Sequence, residues 1–237
     1  MVPLFLTLAF VGFLCVFPFT ASAQEQGDLR RLPEDPAKAV MYVALGDSTV
    51  YGIGANGPDR NYVSRFYEYL RSVYPRARML NLGVGGATAA DVVGGQLERA
   101  VALRPDLVTL SIGPNDITKG RGVEEYERDI ETIFRTLLRE TAAILVVNLI
   151  PDLTVTPRFR GREEAIKVGR RVVVFNQALD RWARASGAEI VDLYTLSQQE
   201  VPGRPELIAA DGYHPSDQGY ARWAELMWRG AEARIGR

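Results

Sequence analysis

The sequence predicts a doubly wound α/β domain, a parallel sheet covered by helices on both faces. Three observations lead there. Short apolar runs rich in β-branched residues alternate with stretches of helical periodicity, the pattern of parallel strands joined by crossover helices. There are five such runs in 237 residues, whereas a closed barrel takes eight strands and usually about 250 residues. Polar, glycine-containing clusters follow the strand runs, and the carboxyl ends of the strands are where an open α/β sheet binds its ligand.

The first strand is Val40–Leu45, and "GDS", Gly46 to Ser48, follows it. Tyr62, Phe66, Tyr69 and Val73 then form one apolar helix face. The second strand, Ala77–Leu82, runs into "GVGGAT", Gly83 to Thr88. A weaker helix covers Ala87–Leu103, interrupted by Gly94 and Gly95. The third strand, Leu107–Ile112, is followed by "GPND", Gly113 to Asp116. Val123, Tyr126, Ile130, Ile133 and Leu137 mark the next helix, and Ala143–Ile150 the fourth strand. Pro151 to Glu164 is the longest irregular stretch, of a length that is often functional. Val168, Val172, Phe175, Leu179 and Trp182 mark another helix, and Glu189–Leu193 the fifth strand. A longer connection leads to "DGYHPS", Asp211 to Ser216, where Ser216 caps a last helix that carries Trp223 and Met227 inward.

The first 23 residues carry no charged side chain and end in Ala-Ser-Ala, which reads as a signal peptide cleaved after Ala23 and so as export, periplasmic or secreted. The alternative is an uncleaved membrane anchor over residues 1–23, which is the one route by which membrane contact is expected. Residues 24–38 are polar with two prolines and read as a tether, leaving 39–237 as the domain. Cys15 is the only cysteine, so the mature chain has neither a disulfide nor a thiol nucleophile.

Composition excludes several classes of function. The net charge is −1 and the basic residues are dispersed, which argues against a nucleic-acid partner. One histidine and no mature cysteine leave only carboxylates as further metal ligands. "GIGANG", Gly52 to Gly57, fits a dinucleotide fingerprint but does not sit directly between strand and helix. The nucleophile elbow G-x-S-x-G of the α/β-hydrolases is absent around Ser48.

The clusters at the strand ends supply the parts for acyl transfer. A serine hydroxyl needs a base to take its proton, and His214, the only histidine, can serve Ser48. Asp211, three residues earlier, can accept the other ring N–H and fix the tautomer. An oxyanion needs donors, which the Ser48 and Gly86 backbone N–H groups and the Asn115 side chain can provide. Gly83 and Gly85 are alternatives to Gly86. Asp47 is assigned to the turn, accepting backbone N–H bonds.

Ser48, Gly86, Asn115 and His214, with Asp211 before the histidine, stand in four ordered blocks that resemble those of the SGNH hydrolases, the GDSL-type esterases and lipases. The resemblance runs from about Val40 to Trp228, and "DGYHPSDQGYARWAE" is similar to the close of the lysophospholipase-like members. It implies a flavodoxin-like three-layer α/β/α sandwich with a five-stranded parallel sheet. It also implies a serine hydrolase that needs no metal or cofactor, with a shallow, adaptable site. Counting from Asn81 in the family's pattern favours Gly86 as the donor glycine. Lysophospholipids, short acyl esters, acetylated sugars and thioesters all fit as small-molecule or lipid substrates. The alternative of another class is a non-catalytic carbohydrate- or lipid-binding module on a hydrolase scaffold. Two residues depart from the pattern. Thr49 replaces the Leu of the family name and is expected to pack behind the nucleophile, and Pro114 replaces a common Gly, removing one backbone N–H.

Overall fold

The computed structural model describes residues 30–236. The strands are β1 (Met41–Gly46), β2 (Arg78–Asn81), β3 (Leu107–Ser111), β4 (Ile144–Asn148) and β5 (Glu189–Val191). They form one parallel sheet in the order β2-β1-β3-β4-β5. That is the flavodoxin-like order, and its switch point lies between β1 and β3. The three central strands, β1, β3 and β4, are buried almost throughout, as strands covered on both faces must be.

Short α1 (Ser48–Tyr51) follows β1, and α2 (Tyr62–Val73) is capped by Asn61, whose side chain accepts the Ser64 N–H at 2.9 Å. Next come α3 (Ala89–Asp91) and α4 (Leu97–Ala102), then α5 (Pro114–Thr118) and α6 (Val123–Glu140). Last are α7 (Glu164–Ala185), α8 (Leu193–Glu200) and α9 (Asp217–Glu232). The sheet separates two cores. One packs Leu97, Tyr126, Ile130, Phe134, Val172 and Phe175 against Val43, Val108 and Val147. The other packs Phe66, Leu70, Tyr220, Trp223 and Met227 against Tyr42, Ala44 and Val146. The layers are therefore helices, sheet, helices.

The sequence-derived elements meet these with shifts that have local causes. The weak helix around Gly94 and Gly95 is α3, a wide π-turn over Val92–Gln96, and α4. Two low-propensity glycines sit where the helix takes its extra residue. The fifth strand stops at Val191, because Asp192 accepts the Thr195 N–H at 2.9 Å and caps α8. Sequence periodicity missed α8, since only Leu193 and Leu196 mark its apolar side. Pro151 to Glu164 contains a single 3₁₀ turn, Leu153–Val155, before α7 begins at Glu164.

Residues 1–23, read as a signal peptide, lie outside the described residues, as do residues 24–29 of the stretch read as a tether. The described end of that stretch is docked. Leu32 is buried and pairs with Ile235, and the Tyr74 hydroxyl donates to the Pro33 carbonyl at 2.6 Å. No helix among the described residues is long and apolar enough to cross a membrane.

Candidate active site

The end of β1 is built around Gly46. Its φ is +144°, and a Cβ there would lie 1.9 Å from the Ser111 carbonyl oxygen, so only glycine lets the chain leave the sheet this close to β3. Gln96, turned inward by the π-segment, holds both backbone groups of Gly46: Oε1 accepts its N–H at 2.9 Å and Nε2 donates to its carbonyl at 2.8 Å. Asp47 then caps α1 through Oδ1, which accepts the Thr49 N–H and the Thr49 hydroxyl, each at 2.9 Å. Asp47 thus holds the turn, and Thr49 contributes a hydrogen bond to it rather than only packing behind Ser48. Asp47 is 1% exposed and its Oδ2 has no partner. Burial pushes its carboxyl up to about 6, against the opposing pull of the Thr49 bonds and the His214 charge.

Ser48 is the first residue of α1, and His214 reaches it from the far end of the chain. Its Nε2 lies 2.9 Å from Ser48 Oγ, and its Nδ1 lies 2.5 Å from Asp211 Oδ2. The Asp211–His214 unit is internally fixed, because Asp211 Oδ1 also accepts the N–H groups of Tyr213 at 2.9 Å and His214 at 3.0 Å. Burial raises the Asp211 carboxyl, but these bonds and the imidazole outweigh it and hold it below the usual carboxylate range. The loop is closed beneath by the Ala209 N–H to His214 carbonyl bond, 2.8 Å, and by Ser216 N–H to Leu207 carbonyl, 2.9 Å. The Tyr213 ring meets the His214 imidazole edge-on at 5.0 Å. Phe159, edge-on at 6.0 Å, and the Arg158 guanidinium, 4.8 Å from the ring centre, also pack on Tyr213, so the irregular stretch after β4 supports the histidine loop.

The remaining predicted residues arrive from β2 and β3. Asn115 Nδ2 donates to the Ala87 carbonyl at 3.0 Å, using one of its two N–H bonds and tying the loop after β3 to the loop after β2. Lys119 Nζ donates to the Gly86 carbonyl at 2.8 Å, a second tie between α5 and the loop after β2. Among the described residues the Ser48, Gly85 and Gly86 N–H groups have no partner, whereas the Gly83 N–H is taken by Asn81 Oδ1 at 2.9 Å. The Gly83 N–H is therefore occupied, which leaves Gly85 and Gly86, the latter at φ +79° and next to the Asn115-held Ala87. Pro114 is the first residue of α5, where its missing N–H costs no helix bond.

Sequence reading missed two supporting residues. Gln96 is one. Asp116 is the other: fully buried, it accepts the Ala89 N–H and pairs with Arg121 at 2.6 Å, which in turn reaches Asp129 at 2.8 Å. Burial raises its carboxyl and Arg121 opposes that. The pair fastens the loop carrying Asn115 to the start of α3. Asp116 stood in the "GPND" cluster, but nothing in one sequence distinguishes a buried carboxylate from a turn residue.

A cavity of about 120 Å³ opens beside Ser48, Thr49 and His214. Its other walls are Pro151 and Leu153 from the stretch after β4, Leu196 of α8, Leu207, and Trp223 and Leu226 of α9. Among the described residues no three His, Cys, Asp or Glu side chains come together to hold a metal ion. A serine hydroxyl bonded to an imidazole, with a carboxylate behind it and free N–H groups on two neighbouring strand ends, can attack a carbonyl and hold the oxyanion that forms.

The profile of the GDSL-like Lipase/Acylhydrolase family matches residues 44–222. A GDSL-like esterase of Mycobacterium tuberculosis is 30% identical over 206 residues, 85% of this chain, which spans only 65% of that protein's length. An acetylxylan esterase of Geobacillus stearothermophilus is 26% identical over 177 residues, 71% of this chain and 79% of its own. A crystal structure of an acetylxylan esterase from the same organism superimposes with a TM-score of 0.65 at 20% identity, over 81% of this chain and 94% of that one. At that identity the superposition speaks for the fold alone.

Proposed function

The chain belongs to the GDSL-like lipase/acylhydrolase family, and on that premise we propose that it is an exported serine esterase acting on carboxylic esters through an acyl-enzyme on Ser48. The observation that carries the reading is the relay from Ser48 Oγ to His214 Nε2 at 2.9 Å and from Nδ1 to Asp211 at 2.5 Å. In the first half-reaction Ser48 Oγ attacks the ester carbonyl carbon and its proton passes to His214 Nε2. Asp211 keeps Nδ1 protonated and stabilises the imidazolium. The oxyanion takes the Ser48 and Gly86 N–H groups and the second N–H of the Asn115 amide. When the intermediate collapses, the C–O bond to the alcohol breaks, His214 gives its proton to the departing oxygen, and the acyl group stays on Ser48. In the second half-reaction water takes the alcohol's place: His214 removes its proton, it attacks the acyl carbon, and as the acyl C–Oγ bond breaks His214 returns that proton to Ser48 Oγ, releasing the acid.

Within this reading the substrates are short acyl esters, lysophospholipids or acetylated sugars. The apolar walls of the cavity beside Ser48 support an acyl group larger than acetate, while the acetylxylan esterase relative supports acetate. Export rests on the uncharged residues 1–23 and their Ala-Ser-Ala end. The test is Ser48→Ala in the purified mature protein. Hydrolysis of p-nitrophenyl esters is expected to disappear in a folded variant, and fluorophosphonate labelling to disappear with it. Turnover above a few per cent of wild type would remove Ser48 as the nucleophile.

A further inference from the structure

We propose that the apolar cavity beside Ser48 is a ruler for the acyl chain, and that the Glu200–Arg222 ion pair is the wall that sets its length. This rests on the esterase reading above and adds the substrate class to it. Glu200 is the last residue of α8 and Arg222 lies in α9, so the pair bridges the two helices that flank the cavity. Arg222 Nη2 donates to Glu200 Oε1 at 2.8 Å and Nε reaches both carboxylate oxygens, at 3.1 and 3.2 Å. Arg204 holds Glu200 from outside at 3.2 Å, and Glu225 holds Arg222 at the same distance.

The pair is a partition. Ser48 and His214 line the inner cavity, whereas Arg204, Gln218 and Glu225 line a separate polar pocket on the surface. Glu200 and Arg222 line both. The periodicity of α9 explains this: Gly219, Trp223 and Leu226 face inward, Gln218, Ala221 and Glu225 face outward, and Arg222 stands on the boundary.

Chemistry assigns the cavity to hydrocarbon. Its lining is mostly apolar, and its polar side chains Asp152, Thr156, Ser197, Glu200 and Arg222 are already bonded within the protein, so a sugar or a phosphate headgroup buried there would exchange many hydrogen bonds to water for few. The leaving alcohol can remain at the mouth beside His214 Nε2, where its oxygen must collect a proton. An apolar cavity of about 150 Å³ takes a benzene molecule, so 120 Å³ suits an acyl chain of about four to six carbons. A longer chain would have to press methylenes onto a hydrogen-bonded charge pair, and the pair has no other partners inside the cavity to take up its charge.

The experiment is a series of p-nitrophenyl esters from acetate to dodecanoate, run on the mature protein and on Arg222→Ala, Glu200→Ala and Leu196→Trp. In wild type kcat/KM is expected to peak at four to six carbons and to fall at least tenfold by ten. Arg222→Ala opens the inner cavity to the surface pocket and is expected to raise the ratio of decanoate to butyrate tenfold or more. Should that variant fail to fold, Glu200→Ala trims a partly exposed carboxylate at a helix end and reads the same ratio. Leu196→Trp fills the cavity and is expected to shift the optimum to acetate. A folded variant lacking either partner of the pair with the wild-type ratio would overturn the wall. An acetate optimum in wild type that Leu196→Trp leaves in place would overturn the ruler. So would a parallel series of alkyl acetates in which rate follows alcohol length, since that puts the leaving group in the cavity. Failure of the esterase reading is distinct: wild type would then hydrolyse none of the esters, or hydrolysis would persist in Ser48→Ala, whatever the chain-length profile.

Discussion

Asp47→Asn isolates the cost of burying a charge beside the nucleophile. The carboxyl is 1% exposed, with two hydrogen bonds on Oδ1 and none on Oδ2. Its folded value of about 6 stands roughly two units above the ordinary 3.8. Between about pH 4 and 6 the folded chain therefore holds a proton that the unfolded chain has released, and stability falls as pH rises. Above that window the full penalty is present, ~3 kcal/mol at 1.36 kcal/mol per unit. Asparagine never ionises, and its carbonyl oxygen can accept both Thr49 bonds. Its NH₂ would sit where Oδ2 has no partner, a cost of about 1–3 kcal/mol that does not vary with pH. The assay is urea unfolding of both proteins from pH 4 to 8. The stability of the variant relative to wild type is expected to rise by ~3 kcal/mol across pH 4–6 and then level off. The contribution of Asp211 is common to both proteins and cancels, while Asp116 and His214 act on the Asp47 charge in opposite directions and are already contained in its folded value of about 6. A difference that stays constant with pH, or grows as pH falls, would refute the reasoning.

Three further outcomes can be checked by kinetics and unfolding. Asp211→Asn keeps an oxygen for the Tyr213 and His214 N–H groups, so the loop should hold while the amide faces Nδ1 with a donor and forces the wrong tautomer. We expect kcat to drop by roughly 10³–10⁴-fold with little change in melting temperature. Asn115→Ala removes one oxyanion donor and should lower kcat by about 10²–10³-fold with KM nearly constant; an effect on KM alone would make Asn115 a substrate-binding residue. Gln96→Leu leaves the buried Gly46 N–H without its partner, while the Gly46 carbonyl keeps the Val84 N–H at 3.1 Å, and should cost about 1–3 kcal/mol in urea unfolding, with a loss of kcat as Ser48 loosens.

The fold was legible wherever one physical period governed a segment. The central strands read as apolar runs because both their faces are covered, and α6 and α7 read from a single buried stripe. Ser48, Asn115 and His214 stood out as candidates because their polar chemistry follows apolar strand runs, and the structure brings Ser48 Oγ and His214 Nε2 to 2.9 Å and ties Asn115 to the loop after β2. What escaped was set by tertiary contact. The π-turn at Val92–Gln96 follows from Gln96 reaching Gly46, a partner 50 residues away that no local pattern reveals. Asp116 looked like a turn residue until Arg121 and the Ala89 N–H closed on it. The short α8 follows from a cap at Asp192 and two leucines, too little for a periodic signal.

The two halves of the relay are made at different times in the life of the chain. Ser48, Gly86 and Asn115 follow β1, β2 and β3, neighbours in the sheet that have all been synthesised by residue 118. His214 and Asp211 lie nearly a hundred residues later, on a loop that docks only when Leu207, Pro215 and α9 are in place. On the reading proposed above, a nascent or truncated chain can carry Ser48 and its donors and still be inert, because no other imidazole exists to replace His214. On that reading hydrolysis requires the histidine loop to be in place, so its onset in a refolding chain marks the moment that loop reaches Ser48, which makes turnover itself a clock for that docking event.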